Sequence, residues 1–123
     1  MTILMVDDDA DEVFLFEEAL REVNSNSKLV TIGGGEPCFD VLENIIPDFI
    51  FLDVNMPKVN GKDYLKAIKK NNNLSGVPVI MYSTSLSPAD KEFFRESGAE
   101  FITKPPSFKE LVSFIKQLLL KEL

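Results

Sequence analysis

Apolar residues fall along this chain in short unbroken runs, separated by stretches where they return every three or four positions. Residues 2–6, Thr-Ile-Leu-Met-Val, form the first run. A continuous apolar run of that length predicts a strand buried on both faces. Beyond it Val13, Phe16, Ala19, Leu20 and Val23 recur at helical spacing, with Asp9 or Asp11 as the candidate cap. Leu29-Val30-Thr31-Ile32 reads as a second strand, stopped by Gly33-Gly34-Gly35. The triplet is a turn, because no Lys-Ser/Thr pair follows as a phosphate loop would need. Residues 37–45 predict a short helix, with Cys38 as a small packing residue. Phe49-Ile50-Phe51-Leu52 is a second strongly buried run, ending in Asp53 and followed by a loop through Met56-Pro57 to Gly61.

The remaining chain repeats the alternation. Residues 62–71 look helical, and residues 77–82 form a strand introduced by Pro78. Ser87-Pro88-Ala89-Asp90 is a helix start with a capping residue, proline at the first helical position and an acid three past the cap. That helix runs to Gly98, a C-terminal glycine. Phe101-Ile102-Thr103 is a short strand closed by Lys104-Pro105-Pro106, and Ser107-Phe108-Lys109-Glu110 is a capping box. Apolar residues at 108, 111, 112, 115 and 119 then give a long amphipathic helix. Five strand–helix alternations predict an α/β sandwich on a parallel sheet with right-handed crossovers. The 123 residues suffice for one core, so residues 1–123 are read as a single domain.

Composition narrows the chemistry. The formal net charge of −7 repels phosphate backbones and anionic lipid, which argues against nucleic-acid or membrane partners. A single cysteine leaves no internal disulfide and no thiolate zinc site. The first residues lack a basic segment and a signal-peptide core, and no apolar run approaches the ~20 residues of a membrane helix, so a cytoplasmic setting is expected. The absence of histidine removes Ser-His-Asp and Cys-His catalysis, imidazole metal sites and phosphohistidine chemistry on this chain.

In parallel sheets the functional site lies at the carboxyl ends of the strands. Strand one ends in Asp7-Asp8-Asp9, strand three in Asp53, strand four in Ser83-Thr84 and strand five in Lys104. Crowded carboxylates repel, and a hard divalent cation relieves them; oxygen-only ligands favour Mg²⁺ or Mn²⁺. A cation, Lys104 and the Ser83 hydroxyl together could stabilise a transferring phosphoryl group, and a carboxylate can serve as its nucleophile. Singly, each residue has a plainer explanation as a cap, a turn or a loop residue.

Over essentially its whole length the chain resembles the receiver domain of two-component response regulators. The resemblance is carried by Ile3-Leu4-Met5-Val6-Asp7-Asp8-Asp9, by Phe51-Leu52-Asp53 with Asn55-Met56-Pro57 and Asn60-Gly61, by Pro78 to Thr84 and by Gly98 to Pro105. It implies a flavodoxin-like (βα)5 three-layer sandwich with strand order 2-1-3-4-5, acting as a regulatory phosphoacceptor and not an enzyme. By position, Asp53 is the implied phosphoacceptor, Asp8 a direct metal ligand, Asp7 a ligand through water, and Asn55 a carbonyl ligand of Mg²⁺ (or Mn²⁺). Ser83 is the implied switch hydroxyl, Thr84 supplies a backbone N–H, Lys104 pairs with Asp53, and Phe101 matches the aromatic that turns when the family switches. Asn55 and Ser85 would flank the water that removes the phosphoryl group. The Lys104–Pro105 bond is expected to be cis, with Phe108 filling space left by Pro106.

The implied partners are a sensor histidine kinase or histidine phosphotransfer protein, and downstream a protein target or a second copy. That contact is expected on the fourth helix, fifth strand and fifth helix, with Phe93, Phe94, Phe114 and Leu120 as candidate apolar contributors. A phosphohydrolase of the haloacid dehalogenase type is disfavoured by Asn55, where that family has an aspartate. A flavodoxin-like flavin carrier is disfavoured by aspartates where a phosphate loop belongs. A receiver-like module that only binds partners would not need the acids and the lysine.

Overall fold

The computed structural model describes residues 1–33, 39–42, 44–53 and 61–121. Five strands form one parallel sheet: β1 (Thr2–Val6), β2 (Lys28–Ile32), β3 (Phe49–Asp53), β4 (Val79–Ser83) and β5 (Glu100–Thr103), in the order β2-β1-β3-β4-β5. Four α-helices lie among the described residues: α1 (Ala10–Val23), α2 (Gly61–Lys70), α3 (Pro88–Glu96) and α4 (Phe108–Lys121). None is long and apolar enough to cross a membrane.

Strand side chains alternate between faces, and here each face meets its own core. Leu4, Val6, Ile50, Leu52, Val79 and Met81 pack with Tyr64, Leu65 and Ile68 of α2 and Phe94 of α3. Ile3, Met5, Phe49, Phe51, Ile80 and Tyr82 pack with Phe16, Ala19 and Leu20 of α1 and Leu111 and Ile115 of α4. This is the three-layer sandwich expected from the uninterrupted apolar runs. Phe16 anchors α1 through edge contacts with Phe51, at 5.0 Å between centroids, and Tyr82, at 6.1 Å.

The helix starts follow their sequence signals. Asp9 caps α1, accepting from the N–H groups of Asp11 and Glu12, and Ser87 caps α3, accepting from Asp90. Gly98, at φ +83°, follows α3 in the left-handed conformation that glycine adopts without a Cβ penalty.

Two expectations are corrected. In the stretch 37–45, a single 3-10 turn, Asp40–Leu42, stands where a helix was expected, and residues 34–38 and 43 lie outside the described residues. Asn44 is left-handed at φ 72°, which ends helical winding there. The Lys104–Pro105 bond is trans, as are all described peptide bonds; trans is the lower-energy isomer by ~0.5–1 kcal/mol. Lys104 reaches Asp53 with the bond in that form. Phe108 is 40% exposed and lines a shallow pocket together with Pro106, while Leu111 and Ile115 form the buried stripe of α4.

Candidate functional site

Register brings the acids together. Asp53 ends β3 on the face of Phe49 and Phe51, and Asp7 follows β1 on the face of Ile3 and Met5, so both fall on the α1 side of the sheet. Tyr82 is the register partner of Asp53 and shares that side. The Asp7 N–H donates to the Ile32 carbonyl at 3.0 Å, extending the β1–β2 ladder by one residue and fixing Asp7 in place. On β4–β5 the Lys104 N–H likewise donates to the Ser83 carbonyl at 2.8 Å. Asp7, Asp53 and Ser83 are all buried.

Asp7, Glu12 and Asp53 each offer a carboxylate oxygen within 4.8 Å of the others. Asp7 Oδ1 accepts from the Asp9 N–H at 2.9 Å, whereas Oδ2 is buried and receives no hydrogen bond. Burial pushes the Asp7 carboxyl up to about 8; the Asp9 N–H offsets part of that, and Glu12 and Asp53 raise it further. An orphaned buried oxygen beside two more carboxylates fits a hard divalent cation, which would replace lost hydration and offset the repulsion.

Lys104 is the positive counterpart. Its ammonium donates to Glu12 Oε2 at 2.8 Å and Oε1 at 2.9 Å, and lies 3.2 Å from Asp53 Oδ1 and 5.5 Å from the Tyr82 ring centroid. Burial alone would lower the lysine pKa, but the Glu12 and Asp53 contacts outweigh it and hold the group above its usual value. Burial, followed by the charges of Glu12, Asp7 and Asp53, also raises the Tyr82 hydroxyl.

The remaining sequence candidates are distributed around this centre. Ser83 Oγ donates to the Ser85 carbonyl at 2.7 Å and accepts from the Ser85 N–H at 3.2 Å. Thr84 and Ser85 are exposed. Phe101 is half-buried against the α2–α3 core, with the Lys91 ammonium 5.1 Å from its ring centroid. Ser83, Thr84, Ser85, Leu86, Lys91 and Phe101 help line a cavity of about 200 Å³. Asp8 is exposed and lies outside the group of three carboxylates. Asn55 and the Met56-Pro57 loop fall outside the described residues.

Glu12 was missed. Asp9-x-x-Glu12 has capping-box spacing, which predicts that Glu12 turns back to the Asp9 N–H. Instead that N–H goes to Asp7, and Glu12 spans to Lys104.

Comparison with known proteins agrees with this geometry. Residues 3–116 match the response regulator receiver domain family. The transcriptional regulatory protein CpxR of Escherichia coli K12 is 37% identical over 118 residues, covering 95% of this chain and 48% of CpxR. The chain thus spans about half the length of that relative. The phosphorylated cyanobacterial phytochrome response regulator RcpA superposes with a TM-score of 0.75 at 27% identity, covering 95% of this chain and 89% of RcpA. A response regulator in its Mn²⁺-bound form superposes with a TM-score of 0.74 at 25% identity, covering 95% and 90% of the two chains. A sheet ordered 2-1-3-4-5, acids and a lysine at its carboxyl edge and a family match over residues 3–116 lead to one conclusion: the chain belongs to the response regulator receiver domain family.

Proposed function

We propose that this chain works as a phosphorelay switch whose phosphoacceptor is Asp53, with residues 1–123 acting as one receiver unit. The observation that carries the reading is the buried Asp53 carboxylate at the strand end, paired with Lys104 at 3.2 Å beside the orphaned oxygen of Asp7. In the transfer, an Asp53 carboxylate oxygen attacks phosphorus. The bond from phosphorus to the donor breaks, and its electron pair leaves with the donor group. For a phosphohistidine donor on a kinase or phosphotransfer protein, that group is the imidazole. Lys104 would meet the charge on the phosphoryl oxygens, and the Ser83 hydroxyl would turn from the Ser85 carbonyl to follow them.

Asp7 and Asp53, with Asp8 and the Asn55 carbonyl, would hold Mg²⁺; Mn²⁺ is the alternative, as in the Mn²⁺-bound relative. An ion held by these residues would supply positive charge to offset that of the phosphoryl oxygens. The chain is a regulatory acceptor in this reading, not an enzyme acting on other molecules. Its output passes to a protein, not to nucleic acid or membrane, as the net charge of −7 favours. A cytoplasmic setting fits a kinase donor.

Divalent-ion dependence tests the reading. Incubation with acetyl phosphate and Mg²⁺ should phosphorylate the chain, and excess chelator should abolish the product. Undiminished phosphorylation in chelator contradicts it.

A further inference from the structure

The Lys104 ammonium has two suitors. Both oxygens of Glu12 accept from it, at 2.8 and 2.9 Å, while Asp53 Oδ1 stands farther off at 3.2 Å. The lysine side chain is 10% exposed and that of Glu12 34%, so water screens their contact only in part. Glu12 comes from the first turn of α1 and the lysine from the loop after β5, so the pair ties together elements 92 positions apart.

From this we infer that Glu12 is a positioning residue that restrains Lys104: it holds the ammonium away from the phosphoryl position and so sets how readily Asp53 is loaded. The inference rests on the phosphoacceptor reading of Asp53. A phosphoryl group on Asp53 adds negative charge where Glu12 already faces the acceptor, within 4.8 Å. Lys104 must then turn toward the phosphoryl oxygens, giving up part of its bond to Glu12. The lost pairing and the new repulsion act in the same direction, against the phosphorylated state. Glu12 acts only through its neighbours, because its carboxylate attacks nothing and receives no group.

Removing the Glu12 charge should also weaken cation binding, which is the opposite effect. The test therefore runs at saturating Mg²⁺. The probe is beryllium trifluoride, a non-covalent mimic of the aspartyl phosphoryl group, titrated by fluorine NMR into wild type, Glu12→Gln, Lys104→Met and the double variant. Asp53→Asn serves as the control that must not bind.

Glu12→Gln should bind the probe about five- to tenfold more tightly, the scale of one ordinary net hydrogen bond, since the glutamine amide can still accept from Lys104. That gain should shrink in the Lys104→Met background, because the two residues share one interaction. A role for Glu12 in fold stability alone would not produce this coupling. Equal or weaker binding by Glu12→Gln, with wild type binding normally, overturns the inference. So does a gain of the same size in both backgrounds. If wild type does not bind the probe, or Asp53→Asn does, the phosphoacceptor reading itself fails and this inference with it.

Discussion

Burial sets Asp7 apart from the exposed Asp8 and Asp9 beside it. Its carboxyl is raised from 3.8 to about 8, so the metal-free folded chain holds a proton there that the unfolded chain releases. The stabilisation is complete below the unfolded value and is lost as pH rises toward the folded one. With no histidine in the sequence, few other groups titrate over that interval. Thermal unfolding in chelator should therefore show Tm falling between about pH 5 and pH 8. Asp7→Asn should flatten the profile, and Mg²⁺ should restore Tm at the high-pH end by binding the carboxylate form. A Tm that stays level or rises over this interval in chelator counts against the assignment. The sequence showed Asp7 and Asp53 at strand ends because strand ends can be read from apolar runs. It hid Glu12, because capping-box spacing offered a local partner and the real one lies 92 positions away.

At the scale of elements, sequence signals held wherever the cause was local. Ser87 caps α3, and Gly98 turns the chain after it, because cap chemistry and a φ of +83° depend on single residues. Gly98→Ala should cost ~1–2 kcal/mol, since it forces a Cβ into the left-handed region. A urea titration measures it, and an unchanged midpoint would contradict the conformational argument. An added Cβ would come no closer than 3.8 Å to Lys69 Nζ, so the cost comes from backbone and not from a clash. Non-local packing was harder to read. The stretch 37–45 carries apolar residues near helical spacing, yet Asn44 leaves the helical region, and the helical winding found among the described residues there is the 3-10 turn Asp40–Leu42. Phe114, a candidate for the output face, is half-buried and meets Phe51 at 6.0 Å between centroids. Phe93 and Phe94 differ as their 100° separation on a helix requires: Phe94 is buried and Phe93 only half so.

Across the whole molecule, the site and the proposed output face share Ser83 and Phe101. The cavity of about 200 Å³ beside Ser83 reaches Phe101 and Lys91, so a shift of the Ser83 hydroxyl has room to be felt on the β5–α3 surface. Of the apolar residues expected on that face, Leu120 is exposed at 63%, while Phe94 and Phe114 serve the core. Phosphorylation should change association through α3, β5 and α4 as a shift between two populations. Sedimentation with and without beryllium trifluoride should show a change in wild type, alone or with a partner, that Phe101→Ala reduces. Identical sedimentation in all samples would remove this face from the account.

Intact-mass measurement shows whether Asp53 accepts the phosphoryl group. After incubation with acetyl phosphate and Mg²⁺, wild type should gain the mass of one phosphoryl group, labile to hydroxylamine as an acyl phosphate is, and Asp53→Asn should gain nothing. A wild type that stays unmodified, or an Asp53→Asn variant that gains the same mass, would contradict the account.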